Sequence, residues 1–347
     1  MGKKDKIQLE WEKASNWLKT GSKVAFATVV KTWGSSPRPL GSVLVIREDG
    51  VFEGSVSGGC VEGAVVSEAL EILNTGKPQC LHFENDTDSV WSPGLSCGSK
   101  ISIFVAPIKK ENFGAFKRIA RYLKKRSPTL LITRLNDGQM HLMTRKGGKL
   151  DTSNPFSETL GEEAKLCLKN RFSKLVSDNN QDYFINAILP RPRLFVIGAV
   201  HIAQSLVPMA QMAGFDVTLV DPREAFGNFA RFPGHNLVVE WPDEFLEKEG
   251  LDTECAVVTL SHDPKIDEAA LKVALKSKCF YIGSLGSKRT HQTRICKLKG
   301  EGFSEKQLAR ISGPVGLAIG AKTPQEISIS ILAEIINAMR NGGEEQD

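Results

Sequence analysis

A cysteine flanked by glycines stands where a predicted strand gives way to a predicted helix, in the segment 55–62. Gly58 and Gly59 permit a sharp turn with free backbone N–H groups, which would place Cys60 at or next to the helix N-terminus. The positive end of a helix dipole lowers the pKa of a thiol and attracts anions. Cys60 is therefore a candidate nucleophile or soft-metal ligand. Ser57 and the two glycines are candidate residues for binding a cofactor.

The same spacing also fits a cysteine that is simply buried in a tight turn, and the spacing does not decide between the two interpretations. Glu62 would fall in the first turn of the helix, where a carboxylate supports the dipole, so a structural role is predicted for it. A second glycine-flanked cysteine, Cys97, precedes another predicted strand, and the same two interpretations apply to it.

The turn-rich segment 34–42 gathers hydroxyl groups, backbone N–H groups and a guanidinium in one loop. Ser35, Ser36 and Arg38 are the candidate ligands there, because such a loop suits a phosphate or another anionic group. The alternative is a rigid proline- and glycine-rich turn between two strands.

Downstream, an incomplete dinucleotide-binding fingerprint follows a predicted strand. Gly198 begins it, and Asp221 stands about 20 residues later, at the spacing of the carboxylate that binds ribose in a Rossmann unit. Val200 occupies the position where a glycine normally lets the backbone approach a pyrophosphate, so it should obstruct a dinucleotide. Asp221 and Arg223 could still lie near a ligand, although Asp221 could equally cap a turn.

Other polar residues are expected at the same edge, because ligands bind at the carboxyl ends of strands in open α/β sheets. His201 and His262 follow predicted strands there, whereas His291 is expected to be structural. The segment 283–290 is rich in glycine and serine and ends in two basic residues, which predicts an anion cradle. Its candidate ligands are Gly283, Ser284 and Gly286.

The stretch 189–192, with two prolines, predicts a boundary between domains 1–190 and 191–347. The upstream domain is expected to be mixed α/β. The downstream domain alternates strands and helices, which predicts a Rossmann-like parallel sheet covered on both faces. Upstream helices are predicted at 7–19, 60–74, 111–125 and 160–169, and strands at 23–31, 42–47, 51–55, 79–84, 100–106, 129–134 and 140–145. Downstream helices are predicted at 201–213, 264–277, 288–300, 304–310 and 323–340, and strands at 193–198, 216–220, 237–240, 255–260 and 279–283.

Composition excludes several classes of protein. The net charge of +5 is spread out, which does not favour a nucleic-acid binder. No apolar run approaches the roughly 18 residues of a membrane span. The seven cysteines include no CxxC pair, which argues against a zinc cluster and indicates the reduced thiols of a cytoplasmic protein.

Taken together, the motifs resemble a known family, the XdhC/CoxI accessory proteins of molybdenum hydroxylases such as xanthine dehydrogenase. The upstream motifs are ATVVKTWGSSPRPLGS and GSVSGGCVEGAVVSEAL. The downstream motifs are RLFVIGAVHIAQSL, VTLVDPRE, RFP, SHDPKID, YIGSLGSKRTHQTR and GPVGLAIGAKTPQEISISILAEI. The resemblance covers nearly the whole chain and is weakest over about 110–185.

This resemblance implies a chaperone without turnover of its own, which binds molybdenum cofactor transiently. It would hold the cofactor while a cysteine desulfurase supplies sulfur, and would then help insert it into the apo-hydroxylase. Cys60 is the first candidate for a cofactor ligand or persulfide relay, and Cys97 is the second. A homodimer is also implied.

The chain departs from the family pattern at Val200, where the family has glycine, and at Ser99, where the second cysteine motif has glycine. These departures put nucleotide binding and the role of Cys97 in doubt. Two other classes of function stay open. One is an NAD(P)- or nucleotide-dependent oxidoreductase that uses Asp221, His262 and the segment 283–290. The other is a docking protein that never touches the cofactor.

Overall fold

The computed structural model describes residues 6–34, 38–84, 100–146, 149–150 and 157–341. The chain divides into two compact units, Met1–Pro190 and Arg191–Asp347. Both units combine helices with sheets, and the second contains a parallel six-stranded sheet, so the predicted fold class is confirmed.

The described residues of the first unit form two five-stranded antiparallel sheets. The first sheet has the order β3-β2-β1-β5-β4 and is flanked by α1 and α2. Its elements are α1 (Lys6–Lys19), β1 (Val24–Trp33), β2 (Val43–Arg47), β3 (Phe52–Gly54), α2 (Glu62–Thr75), β4 (Gln79–Phe83) and β5 (Lys100–Pro107).

The second sheet has the order β8-β7-β6-β10-β9. It is built with α3 and α4, and a 3-10 turn at Lys110–Asn112 precedes α3. The elements are α3 (Phe113–Lys124), β6 (Thr129–Arg134), β7 (Met140–Lys146), β8 (Lys149–Leu150), α4 (Glu158–Lys169), β9 (Lys174–Asp178) and β10 (Gln181–Ile188). The sequence pattern does not predict β9 and β10.

Side-chain alternation along β1 explains how this unit forms its cores. Ala25, Ala27 and Val29 pack in a core with α2. Val24, Phe26 and Val30 point to the opposite face and pack in a core with α1, α3 and the second sheet. In the latter core, Trp11 of α1 lies 5.5 Å from Phe26, centroid to centroid. The strand is therefore buried on both faces, which makes it a rigid support for the loop that follows it.

The described residues of the second unit form one parallel sheet with the order β13-β12-β11-β14-β15-β16, which helices cover. Numbered within the unit, this is the 3-2-1-4-5-6 order of a Rossmann fold, and the order reverses between β11 and β14. Helices α5 and α10 cover one face, and α6, α7 and α8 cover the other. The strands are β11 (Arg193–Ile197), β12 (Asp216–Val220), β13 (Asn236–Val238), β14 (Cys255–Thr259), β15 (Tyr281–Ser284) and β16 (Ile311–Ser312). The helices are α5 (His201–Met212), α6 (Pro242–Glu249), α7 (Pro264–Lys276), α8 (Lys288–Gly300), α9 (Glu305–Leu308) and α10 (Pro324–Asn341).

Among the described residues, none of the helices has the length and apolar character needed to cross a membrane.

Candidate functional site

The loop between β3 and α2 exposes the Cys60 thiol. Helix α2 begins at Glu62, so Cys60 lies two residues before it, close to the predicted position. The loop is anchored on either side by Val56 and Val61, whose side chains are fully buried. A cysteine buried in a tight turn was the alternative interpretation, and the exposure of Cys60 contradicts it. The arrangement instead presents an accessible thiol on a fixed support.

The expectation that the backbone N–H groups of this loop are free is wrong, because the carboxylate of Glu62 accepts hydrogen bonds from them. Its Oε1 accepts from the N–H groups of Val56 (3.1 Å), Ser57 (2.9 Å) and Gly58 (3.0 Å). Its Oε2 accepts from the N–H group of Gly59 (2.8 Å). A carboxylate from the chain itself therefore sits where an external anion was expected.

Two serine hydroxyl groups complete the set of donors around Glu62. Ser55 donates to Oε1 over 2.8 Å, and Ser57 donates to Oε2. Burial alone would raise the pKa of Glu62, but the hydrogen bonds from Ser57 and Ser55 outweigh it and lower the pKa to about 2. The carboxylate is thus ionised at physiological pH, because its hydrogen bonds favour the charged form.

The structure brings Arg38 to the Cys60 loop. Its Nε donates a hydrogen bond to the carbonyl oxygen of Ser55 over 3.2 Å, although the two residues come from loops that follow different strands. The other predicted ligands of this region, Ser35, Ser36 and Cys97, lie outside the described residues. The described part of the candidate site therefore consists of Arg38, the loop 55–61 and Glu62.

The loop that carries Arg38 runs to the start of β2 at Val43, and a residue that the sequence analysis did not identify holds its C-terminal end. Asn186 of β10 is buried, and its amide nitrogen donates to the carbonyl oxygen of Gly41 over 3.2 Å. Gly41 has a φ of +82°, and a Cβ placed there would lie 2.5 Å from Oδ1 of Asn186. The second sheet of the unit therefore requires a glycine at this position, and it fixes where the loop ends.

In the second unit, the turn after β11 packs tightly against the end of β14. Gly198 has a φ of +105°, and a Cβ there would lie 2.7 Å from the backbone nitrogen of Ser261. The adjacent His262 is exposed and adopts a φ of 62°, a conformation that residues other than glycine seldom adopt. His201 is exposed at the start of α5. These residues lie at the reversal of strand order, as their spacing predicts.

Asp221, the carboxylate expected to bind ribose, already accepts hydrogen bonds from other residues of the chain. Asp221 is fully buried and accepts bonds from the N–H group of Ala199 (2.8 Å) and from the backbone (3.0 Å), Nε (2.9 Å) and Nη2 (2.8 Å) of Arg223. Burial acts to raise the pKa of Asp221, but the bonds from Arg223 and the backbone lower it overall. Arg231 donates to the carbonyl oxygens of Ala199 and Phe226, both over 2.9 Å, which ties the following loop to the same turn.

The predicted anion cradle at 283–290 needs correction. Strand β15 continues through Gly283 and Ser284, both of which are buried, and the Ser284 hydroxyl pairs with that of Thr259 over 2.6 Å. A Cβ at Gly283 would lie 2.6 Å from the Val315 side chain, so this glycine serves packing. The loop proper is only 285–287, and it contains Gly286.

Comparison with known protein families finds a match in each unit of the chain. A model described as "XdhC and CoxI family" matches residues 17–84, which include the Arg38 and Cys60 loops. A model described as "XdhC Rossmann domain" matches residues 194–335. The first unit therefore resembles the XdhC and CoxI family, and the second unit resembles the XdhC Rossmann domain.

Individual relatives are similar to this chain over nearly its full length. An Escherichia coli (strain K12) protein named molybdenum cofactor insertion chaperone PaoD is 29% identical over 92% of this chain and 84% of its own length. A Bacillus subtilis (strain 168) protein, named as a probable xanthine dehydrogenase subunit, is 27% identical over 93% of this chain and 95% of its own. A crystal structure from Bacillus halodurans, described as a xanthine dehydrogenase, covers 99% of this chain and 98% of its own, with a TM-score of 0.70 and 24% identity. That last likeness is one of fold.

Proposed function

We propose that this protein is a molybdenum cofactor chaperone that supports maturation of a xanthine dehydrogenase-type hydroxylase. The cofactor is its cargo rather than a resident group. The observation that carries the proposal is the exposed Cys60, in a loop that Arg38 contacts at Ser55, within the residues that match the XdhC and CoxI family. The name of the Escherichia coli relative, a molybdenum cofactor insertion chaperone, supports the same role.

The chemistry of the site suits this cargo. Molybdenum accepts thiolate ligands, and Cys60 supplies a thiol that a bulky complex can reach. The phosphate of the pterin needs a cation, which Arg38 supplies at the neighbouring loop. Because the loop N–H groups are already bonded to Glu62, binding in this conformation relies on Cys60 and Arg38 rather than on a backbone anion cradle.

The finer steps of this proposal concern partners. A cysteine desulfurase is the proposed sulfur donor to the bound cofactor, and the apo-hydroxylase is the proposed recipient of the matured cofactor. Cys60 acts either as a molybdenum ligand or as a persulfide relay. A homodimer is the proposed assembly. The protein itself performs no multiple-turnover reaction, which distinguishes it from the desulfurase and the hydroxylase.

The test is capture of molybdenum cofactor released from a donor protein, measured as pterin and molybdenum retained after free cofactor is removed. We expect stoichiometric capture by the wild-type protein and at least a tenfold loss with Cys60→Ala, the scale expected when a ligand to the metal is removed. Cys80→Ala is the matched control, because Cys80 is an exposed thiol of the same unit. Equal capture by Cys60→Ala and Cys80→Ala would contradict a role for Cys60 as a molybdenum ligand.

A mass measurement separates the two roles proposed for Cys60. After incubation with a cysteine desulfurase and free cysteine, a relay carries one extra sulfur atom on the peptide that contains Cys60. A molybdenum ligand carries none and still captures the cofactor. If hydroxylase activation proceeds normally with Cys60→Ala and no pterin is captured by the wild-type protein, the chain is a docking protein instead.

A further inference from the structure

The Cys60 loop is organised around one carboxylate. Six donors converge on Glu62, four of them backbone N–H groups of consecutive residues 56–59 and two of them serine hydroxyl groups. No single neutral side chain could accept this set, because every group that faces it is a donor. The chain must curl around the carboxylate, and it does so with positive φ angles of 85° at Gly58 and 123° at Gly59.

The curl determines where the thiol lies. Since the N–H groups of the loop face inward to Glu62, Cys60 is left on the outside, immediately before Val61, whose buried side chain anchors the start of α2. Ser57 reinforces this geometry, because its hydroxyl donates to Glu62 and accepts from the N–H group of Val61 over 3.0 Å. The segment that carries Cys60 is thus bonded to Glu62 before it and to Ser57 after it.

We propose that Glu62 is the positioning residue for Cys60: its negative charge holds the loop in the shape that presents the thiol to the molybdenum cofactor. This inference rests on the proposed function for the identity of the cargo. Its structural part, that Glu62 governs the exposure of the Cys60 thiol, does not. Arg38, which donates to the carbonyl oxygen of Ser55, is unchanged in the experiments below.

Two substitutions distinguish charge from shape. Glu62→Gln keeps the length of the side chain but presents an NH₂ group to a set of donors. Glu62→Asp keeps the charge and shortens the side chain by one methylene. If the charge positions the loop, cofactor capture ranks wild type, then Glu62→Asp, then Glu62→Gln. If the side chain only fills space, the two variants exchange places. Glu71→Gln, an exposed position on the same helix, is the control for loss of one charge.

The second measurement is the rate of Cys60 alkylation by iodoacetamide at one fixed pH, followed by mass spectrometry of the peptide that contains Cys60 in the full chain. If Glu62 holds the loop, Glu62→Gln changes this rate severalfold, because the loop no longer fixes where the thiol lies. Glu62→Asp, which keeps the acceptor, gives a smaller change in the same direction, and Glu71→Gln leaves the rate unchanged.

The inference is overturned if Glu62→Gln and Glu71→Gln give the same alkylation rate and the same capture, or if Glu62→Gln captures more than Glu62→Asp. If Glu62→Gln does not fold, Glu62→Asp decides: capture below wild type with a changed alkylation rate supports positioning, and both values equal to wild type refute it. Failure of the proposed function has a different signature, namely no capture of cofactor by the wild-type protein, and the alkylation rates then still test the effect of Glu62 on the exposure of the thiol.

Discussion

Arg38 donates a hydrogen bond from Nε to the carbonyl oxygen of Ser55 over 3.2 Å, and this contact joins the loop after β1 to the loop after β3. Strands β1 and β3 both pair with β2, one on each side of it, so the two loops belong to the same sheet. A guanidinium is therefore held beside the loop that exposes Cys60.

We expect Arg38→Gln to reduce capture of molybdenum cofactor by about tenfold or more, the scale of one charge-assisted hydrogen bond to an anion. The loss is measured as a decrease in retained pterin. The difference between the variant and the wild type should become smaller as ionic strength rises, because salt screens the charge that Arg38 contributes in the wild-type protein. Arg118→Gln, an exposed position on α3, controls for net charge. Identical capture by the two variants would remove Arg38 from the site.

Gly41→Ala should destabilise the first unit by about 1–3 kcal/mol, because it combines a left-handed φ with a close approach to a buried side chain. The added Cβ would lie 2.5 Å from Asn186 Oδ1 and 2.6 Å from Ser173 Oγ. Urea unfolding measures the change. In the Asn186→Ala background the contact part of the penalty should shrink while the φ part remains, so the two substitutions should be non-additive. Full additivity would mean that Asn186 does not restrict the Gly41 loop.

Glu62 should make the first unit sensitive to acid. Its folded pKa of about 2 lies below the ordinary value of 4.5, so the stabilisation is fully present above pH 4.5 and is lost as the pH falls towards 2. With part of the interaction screened by solvent, the shift corresponds to about 2–3 kcal/mol in the free energy of unfolding at neutral pH. Urea unfolding of wild type and Glu62→Gln, followed by tryptophan fluorescence in a Trp241→Phe background, should show a gap at pH 7 that narrows by pH 3. A gap independent of pH would contradict the assigned pKa.

Much of this fold could be predicted from sequence because its elements carry local signals. Helix α2 ends at Thr75, and Gly76 adopts the left-handed cap conformation that a glycine followed by Pro78 predicts. The alternation of buried strands and helices after residue 190 predicts the parallel sheet, and the six strands have the expected Rossmann order. Strands β9 and β10 were missed because they lie in a stretch with weak periodicity, next to residues with strong turn signals.

The position of the candidate site could be predicted from the sequence, but the hydrogen bonds within it could not. The glycines around Cys60 predicted a sharp turn and an accessible thiol as one alternative. They could not reveal that Glu62 turns back onto the loop, since an acidic residue in a first helical turn ordinarily only supports the dipole. The restraint on Gly41 by Asn186 spans 145 residues of sequence, so no local pattern encodes it.

The nucleotide alternative leads to a prediction about Val200 and Asp221. Val200 replaces the glycine that lets a pyrophosphate approach, and it caps the start of α5 with extended backbone angles. Removing its side chain would not free the ribose-binding position, because Asp221 is buried and both of its oxygens accept bonds from Arg223. We therefore expect neither the wild-type protein nor Val200→Gly to bind NADH or NADPH with a Kd below about 100 μM, a free energy of roughly −5.5 kcal/mol.

Isothermal titration with each dinucleotide measures this directly, with a known NAD-dependent dehydrogenase as the positive control. Arg223→Ala in the Val200→Gly background is the informative third variant, because it releases one pair of donors from Asp221 while the Ala199 N–H group keeps its bond. Tight binding by the wild-type protein would restore the oxidoreductase alternative, since it would require the Asp221–Arg223 pair to open for a ligand. Binding that appears only in the third variant would show that this pair, rather than Val200 alone, closes the site to dinucleotides.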